Sequence, residues 1–543
     1  MTLLDDHVQT REVLNQAAPL EPIDHFTQWP ALTEAIAREG GAWGEDRLRD
    51  AGALAGSPEA REHSRRAERH EPQLVPYDRY GNRVDAVDLD PSWHWMLRAS
   101  IEREVHSLPW RETRSGGHVV RGGLLMLMGQ MNSGVLCPIS MTYAVVPALR
   151  GGAPEIAAEW EERLTRPDYD GGAIAGMAMT ERQGGSDVRA NTTRAVPVGG
   201  GEYELHGHKW FCSYPPCDVF LVLAQAEAGL SCFFVERGPG MEFQRLKDKL
   251  GTRSLPSSEV EFRGIRGRLV GEEGRGVKAI IEMVGHTRLD CLLGSTAGIR
   301  RGALEAVHHA RGRSAFGARL VDQPAMRNVL ADLALESEAS TVAALRMARS
   351  YDADEPAFRR FGTAVMKYWI CKRAAAHAAE ALECLGGNGY VEDSGLPLLY
   401  RDAPLPGIWE GSGNVMALDV LRALAKEPEG LPAFLAECDL AAGADARLDA
   451  HLAGLRADLG GLATAAGPGA DVREHLAAAQ FGARSLVEDL AVALQGSLLV
   501  RHAEPAVADA FCAARLGGGG GRVYGTLPRG VDAGALIDRA LPA

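Results

Sequence analysis

The chain has 543 residues, 46% of them apolar and 24% charged, a make-up that excludes disorder and, at this length, a single core. Its formal net charge of -14 excludes easy polyanion binding, since a nucleic acid would be repelled at long range. Nine cysteines without a CxxC pair exclude a zinc site or a disulfide framework, so buried reduced thiols and no metal are expected.

The opening MTLLDDHVQTREV carries acids rather than a signal-like apolar core. No apolar run of about 18 residues follows, so no membrane segment and a cytoplasmic location are expected. After a polar, proline-containing lead, residues 36 to about 163 read as helix, with three- and four-residue apolar spacing over 93–108 and 122–134. That pattern predicts an all-helical N-terminal part. From about 171 to 270 the short runs AIAGMAMT, YELHGHKWF, VFLVLAQ, SCFFVE and EVEFRGI alternate with Gly, Pro and Ser turns, the pattern of a small β domain. The GGG at 199–201 suits a hairpin. Long helices are predicted over 277–314, 324–351, 356–385 and 414–425. Beyond Pro428 an Ala- and Leu-rich helical segment continues, interrupted by GPG at 467–469 and by five glycines at 517–521 that read as a mobile loop. The expected domains are 1–170, 171–272, 273–427 and 428–543.

Several stretches carry residues suited to chemistry. In AMTERQGGSDVRANTT a β run ends in Thr180, an acid, Gly184, Gly185 and Ser186. The glycines admit close backbone approach to a planar ligand and the hydroxyls offer hydrogen bonds, although a plain turn explains the same residues. HGHKWFCS places Trp210, Phe211 and Ser213 at the end of a second β run, where Trp210 suits either a flat ligand or the domain core. Arg313, with Phe316 and Gly317, precedes Gln323 and Pro324; Arg313 suits a diphosphate, or balances a helix dipole. Neither GEEGRG at 271–276 nor GGNG at 386–389 sits in a βαβ unit, which excludes a Rossmann fingerprint. Finally, Glu410 in IWEGSGN lies beside Trp409 ahead of an amphipathic helix. It fits a desolvated general base or a simple helix N-terminal charge.

Taken together, AMTERQGGSDVRA and ECLGGNGYVED, in this order, resemble the acyl-CoA dehydrogenase family over roughly residues 33–425. KWF-x-S, LKDKLGTRS, IWEGSGN and the added C-terminal part resemble its AidB-like subgroup, the bacterial adaptive-response relatives. The resemblance implies an α+β multidomain fold: an N-terminal helical domain, a central β-barrel domain, a C-terminal four-helix bundle and an extra helical C-terminal domain. It implies FAD held by Met179, Thr180, Gly185, Ser186, Trp210, Phe211 and Ser213, with Arg313, Phe316 and Gln323 on the diphosphate and adenine side of a neighbouring subunit. Gly386, Gly387, Asn388 and Gly389 would line the same cofactor, with Ile408, Trp409, Ser412 and Asn414 closing over it.

It further implies Glu410 as the base that takes the α-proton of an acyl-CoA, with Arg288 and Ser186 near the substrate. The alternative position for the base on the long helix reads Thr287, which cannot serve. Most relatives carry tyrosine where this chain has Trp409. The expected substrate is a short or branched acyl-CoA, the acceptor an electron-transfer flavoprotein or oxygen, and the assembly a homotetramer. The competing implication is a DNA-binding flavoprotein of the alkylation response. Against it, ten basic and fifteen acidic residues follow from Lys426 onward, and Arg300, Arg301, Arg311 and Arg319 read as an exposed, solvated helix face.

Overall fold

The computed structural model describes residues 13–464 and 472–542, so the GPG at 467–469 lies outside the described residues. Helices α1 (Pro30–Arg38), α2 (Glu45–Ala55) and α3 (Pro58–Arg69) lead into strands β1 (Gln73–Tyr77) and β2 (Arg83–Asp88). Then follow α4 (Pro91–Glu102), α5 (Leu108–Arg111), α6 (Gly117–Met131), α7 (Leu136–Gly152) and α8 (Pro154–Thr165). Proline opens α1, α3, α4 and α8, where its missing N–H has no intrahelical partner to lose.

The hairpin β1–β2 corrects the all-helical expectation. Asp78 accepts the amides of Tyr80 and Asn82 at 2.8 and 2.9 Å and closes the turn, with Gly81 at φ 83°. Both strands expose alternate side chains and bury no apolar face, so only the GN of DRYGN marked them in the sequence.

The sheet comprises β3 (Ala175–Ala178), β4 (Arg194–Gly199), β5 (Glu202–Ser213), β6 (Val219–Ala226), β7 (Gly229–Glu236), β8 (Met241–Leu246) and β9 (Ser257–Val270). Its pairings run β6–β7–β9–β5–β4 and return to β6 through Arg194 beside Gln225. β3 adds parallel to β6, and β8 adds antiparallel to β9. Gly199, Gly200 and Gly201 all have positive φ and turn β4 into β5, as expected. The hairpin β1–β2 docks on β8, where Asp85 accepts the Phe243 amide at 2.8 Å and Arg83 donates to the Phe243 carbonyl at 2.9 Å.

The second helical layer begins with α9 (Gly276–Gly312). A small hairpin, β10 (Ser314–Ala315) and β11 (Ala318–Arg319), separates it from α10 (Pro324–Asp352), which α11 (Pro356–Cys384), α12 (Leu396–Asp402) and α13 (Gly413–Lys426) follow. α9 is the hub, touching α6, α7, α10 and α11, while α11 also packs on α13. A fully buried Arg121–Asp290 pair ties α6 to α9, and Arg121 stacks 3.6 Å over the Tyr143 ring.

Helices α14 (Gly430–Asp439), α15 (Ala446–Thr464), α16 (Val472–His502), α17 (Pro505–Phe511) and α18 (Ala533–Ala540) complete the chain. α16 lies against α10, α11 and α13, and α18 against α10. This packing corrects the solvated-arginine expectation. Arg300 is buried and donates to the carbonyls of Ala540 and Gln28. Arg301 pairs with Glu21 at 2.9 Å and with Glu305, and Arg311 pairs with Asp538 at 2.8 Å. Only Arg319 stays exposed, paired with its neighbour Asp322. Nor is 517–521 a loop without packing. Gly519 donates to the Ala513 carbonyl at 3.2 Å, and a Cβ on Gly520 would lie 2.4 Å from the Ala514 carbonyl. All nine cysteines are free and buried, as expected. Among the described residues no helix is long and apolar enough to cross a membrane, and no metal-ligand cluster occurs.

Candidate active site

Glu410 sits in the turn between α12 and α13 with φ 55°, a left-handed conformation that L side chains adopt at a cost, followed by Gly411 at φ 113°. Two cations hold the turn. Lys367, buried on α11, donates to the Trp409 carbonyl at 2.9 Å and to the Gly411 carbonyl. Arg288 on α9 donates to the Glu410 carbonyl at 3.0 Å and pairs with Asp419 at 2.9 Å. Three successive carbonyls are thereby pinned, and the side chain between them has one direction to point. Its Oε2 accepts the Thr287 hydroxyl at 2.8 Å. Burial pushes the Glu410 carboxyl above its ordinary range, and the Thr287 hydroxyl, Arg288 and Lys367 pull part of the way back. The amide N–H of Glu410 has no acceptor among the described residues.

A second cluster forms where β3 ends. Glu181 is buried and receives Lys209 at 2.9 Å, the Thr192 amide at 2.7 Å and hydroxyl at 3.0 Å, the Thr193 amide at 3.1 Å and Gln183 at 2.9 Å. Burial alone would raise this carboxyl, but the Lys209 charge and these donors hold it down at about 2. The pair anchors the loop from Met179 to Ser186 to β5, helped by the Trp210 amide donating to the Thr180 carbonyl at 2.8 Å. Gly184, at φ 139°, faces open space, whereas a Cβ on Gly185 would strike the Thr180 hydroxyl at 2.4 Å. Ser186 is exposed, Phe211 is half exposed, and the Lys247 ammonium lies 3.3 Å over the Trp210 ring. Ser213 meets Ser257 at 3.3 Å, which in turn meets Lys249 at 3.1 Å. Burial lowers Lys249 to about 8.

Burial raises the Cys137 thiol to about 12, with Lys249, Glu410 and the Ser213 hydroxyl among the groups that act on it. Nearby, Trp409 keeps a buried indole N–H without a partner, and Ser412, at the N-cap of α13, makes no side-chain capping bond. Asn414 is held by Arg484 at 2.8 Å, and Ile408 is exposed.

The remaining expected residues gather elsewhere. Arg313 donates to the Asn15 carbonyl at 2.8 Å and Asn388 to Gln16 at 3.0 Å, so one lead segment bridges the β10–β11 hairpin to Gly386, Gly387 and Gly389. Gln323 braces the hairpin through the Ala315 carbonyl at 3.0 Å, and Phe316 at its tip is fully exposed. Within one chain these residues form an outer surface, apart from the Glu410 turn.

Beside Arg288 lies a cleft of about 870 Å³ between the sheet and α9, α10 and α11. Arg189, Lys278 and Arg359 line it without a carboxylate partner among the described residues, while Arg288, Arg360 and Arg422 converge on Asp419. The cleft is cationic. Sequence reasoning missed Lys367, Lys249 and the role of Thr287 as a donor. The lone cation in AVMKYWIC, on an otherwise apolar helix face, was the one available signal.

Residues 15–171 match the adaptive response protein AidB N-terminal domain, 176–265 the acyl-CoA dehydrogenase middle domain and 274–425 the acyl-CoA dehydrogenase C-terminal domain. The chain is 41% identical over 536 residues to the Escherichia coli (strain K12) protein named "Putative acyl-CoA dehydrogenase AidB", spanning 95% of this chain and 96% of that one. It is 33% identical over 401 residues to acyl-CoA dehydrogenase family member 11 of Caenorhabditis elegans, spanning 68% of this chain and 65% of that one. The solved structure of Caenorhabditis elegans ACDH-11 in complex with C11-CoA superposes with a TM-score of 0.85 at 26% identity, covering 98% of this chain and 93% of that one. The chain belongs to the acyl-CoA dehydrogenase family, among its AidB-like members, and is an oxidoreductase of that family.

Proposed function

We propose that the protein is an FAD-dependent acyl-CoA dehydrogenase in which Glu410 removes the α-proton of the thioester. The observation that carries this reading is the partly buried Glu410 carboxylate, held in a left-handed turn by cations on the three surrounding carbonyls and hydrogen-bonded to Thr287. A desolvated carboxylate with a raised pKa is a stronger base than a solvated one, and the Thr287 hydroxyl, Arg288 and Lys367 favour its ionised form. The unpartnered Glu410 amide can donate to the thioester carbonyl, where charge develops as the proton leaves.

The residues fit a flavin ring. The open Gly184, the Thr180 and Ser213 hydroxyls and the half-buried Trp210 suit the approach of a flat ring, and the orphaned Trp409 indole N–H offers a buried donor. When bound, the flavin supplies the acceptor for the β-hydride. The protein's part is to orient the α- and β-carbons between Glu410 and that loop and to exclude water. The cationic cleft beside Arg288 suits the anionic nucleotide end of coenzyme A. We read the closed circuit of strand pairings as the expected barrel, and the bundle, the added C-terminal helices and the four domain boundaries as drawn above. The cluster of Arg313, Gln323 and the fully exposed Phe316 suits a second subunit of a homotetramer, and the acceptor is an electron-transfer flavoprotein or oxygen.

The test is anaerobic addition of acyl-CoAs to the purified holoprotein while following the flavin band. Bleaching in the wild type that is absent in Glu410→Gln is the expected result. A bound flavin that no thioester reduces would overturn the reading.

A further inference from the structure

Resting on that function, we infer that Lys249 is a positioning residue for the cofactor: through Ser257 it fixes the direction of the Ser213 hydroxyl, so that Ser213 presents its proton as a donor to the bound flavin ring. Three side chains carry the inference. β5 ends at Ser213 and β9 begins at Ser257, and the two stand directly opposite in the antiparallel register, which puts both side chains on one face of the sheet. Their hydroxyl oxygens lie 3.3 Å apart, and in an isolated pair either one could donate to the other. Lys249 removes that freedom.

An ammonium has three protons and no lone pair, so it only donates. Lys249 gives one proton to the Leu255 carbonyl and one to Ser257 Oγ at 3.1 Å. Ser257 therefore accepts from the lysine and has its own proton left to give, and Ser213 Oγ is the side-chain oxygen that stands next to it. The relay runs from Lys249 to Ser257 to Ser213, from a buried hydroxyl to a half-buried one. The proton of Ser213, the last in line, points away from Ser257. The Cys137 thiol also lies within its reach, but burial raises that thiol to about 12, so it stays neutral and is a weak acceptor.

The loop that carries Lys249, between β8 and β9, is held from three sides. The Lys247 amide donates to the Ser257 carbonyl at 2.8 Å, the Thr252 amide to Asp402 at 2.6 Å and the Arg253 amide to Glu68 at 3.2 Å. Both hydrogen bonds of Lys249 go to neutral oxygens rather than to a carboxylate, so it serves as a fixed donor and not as half of an ion pair. Burial lowers the Lys249 ammonium to about 8, opposed by Cys137, Glu68, Asp402 and Glu71. Above that pH the neutral amine gains a lone pair and accepts from Ser257. The relay then reverses, and the Ser213 proton turns inward, away from the ring.

The test reads the flavin itself. The visible bands of the holoprotein are recorded from about pH 6 to about pH 9.5, and flavin released on dilution is measured by its fluorescence near pH 6.5. Wild type should show a band shift with its midpoint near pH 8. Lys249→Arg, a donor that stays charged throughout, should keep the low-pH spectrum and lose the step. Ser257→Ala keeps the lysine charge and breaks the relay, so it should lose the step and weaken flavin binding about fivefold, the worth of one hydrogen bond. Ser213→Ala should do the same, and the double variant should be no worse than either single one, because both interrupt one relay. Asp402, raised to about 7, and Glu410 also titrate nearby, so Asp402→Asn and Glu410→Gln must each retain the step. A step that survives in Ser257→Ala would make the lysine charge alone responsible and overturn the inference. Additive losses in the double variant, a step that vanishes with Asp402, or a wild-type spectrum without a step would overturn it equally. If no thioester bleaches the flavin while the step behaves as stated, the dehydrogenase reading fails and the relay stands; a protein that holds no flavin overturns both.

Discussion

Thr287→Val is the perturbation that tests the Glu410 environment most directly. Valine keeps the shape of threonine in a buried site and removes only the hydroxyl that donates to Glu410 at 2.8 Å. A hydrogen bond to a charged acceptor contributes about 1.5–3 kcal/mol, and about 1.4 kcal/mol corresponds to one pH unit. The same proton has a second acceptor in the Val284 carbonyl at 3.2 Å, so the lower end of that range applies. Burial raises the Glu410 carboxyl and the hydroxyl opposes it. Deleting the hydroxyl must therefore move the carboxyl further up. Because only the ionised form accepts a proton, the acid limb of kcat/KM should move about one pH unit higher. Activity should fall roughly tenfold below the limb, and the alkaline plateau should stay level. The assay is the pH dependence of anaerobic flavin reduction in both proteins. A limb that stays in place or moves to lower pH would refute the reasoning, since Glu410 would then not be the titrating base or the hydroxyl would not bond its charged form.

Lys209→Met should destabilise the fold by about 3 kcal/mol in urea unfolding, because it strips the buried Glu181 carboxylate of its counter-charge. Adding Glu181→Gln should recover part of that loss; a single variant within 1 kcal/mol of wild type would contradict the anchor. Asp402 accepts from Ser133 and from the Thr252 amide, and burial together with the Glu68 charge raises it to about 7. A carboxyl raised on folding contributes stability that is full below its unfolded pKa and lost as pH rises through about 7, at most about 4 kcal/mol here. Thermal unfolding at pH 5.5 and pH 8.5 should accordingly differ less in Asp402→Asn than in wild type, and an unchanged difference counts against the shift. Gly520→Ala should cost about 1–3 kcal/mol because its Cβ meets the Ala514 carbonyl at 2.4 Å. Gly454→Ala in α15, with open space at the same atom, should be neutral or slightly stabilising. Equal behaviour of the two would refute the close packing of Gly520 on the Ala514 carbonyl.

The helical and strand segments were legible because long periodic runs leave little choice. The span expected over 324–351 is Pro324–Asp352, and that over 356–385 is Pro356–Cys384, each opened by a proline, which suits the first turn of a helix. The hairpin β1–β2 was not legible, since neither strand buries a continuous apolar face and its partner β8 lies far along the chain. The arginines of α9 misled for a related reason. Helical periodicity identifies a polar face but not what covers it, and α18 and the lead segment, both remote in sequence, cover this one.

The candidate site divides in the same way. Sequence by itself determined the family, the position of Glu410 ahead of a helix, and the glycine and hydroxyl loop after β3, because each is written in a short contiguous motif. Tertiary structure alone decided what surrounds Glu410. Thr287, Arg288 and Lys367 come from two helices and converge on a turn more than forty residues from any of them. Electrostatic strength depends on distance through a low-dielectric interior, and that distance exists only once the helices have packed.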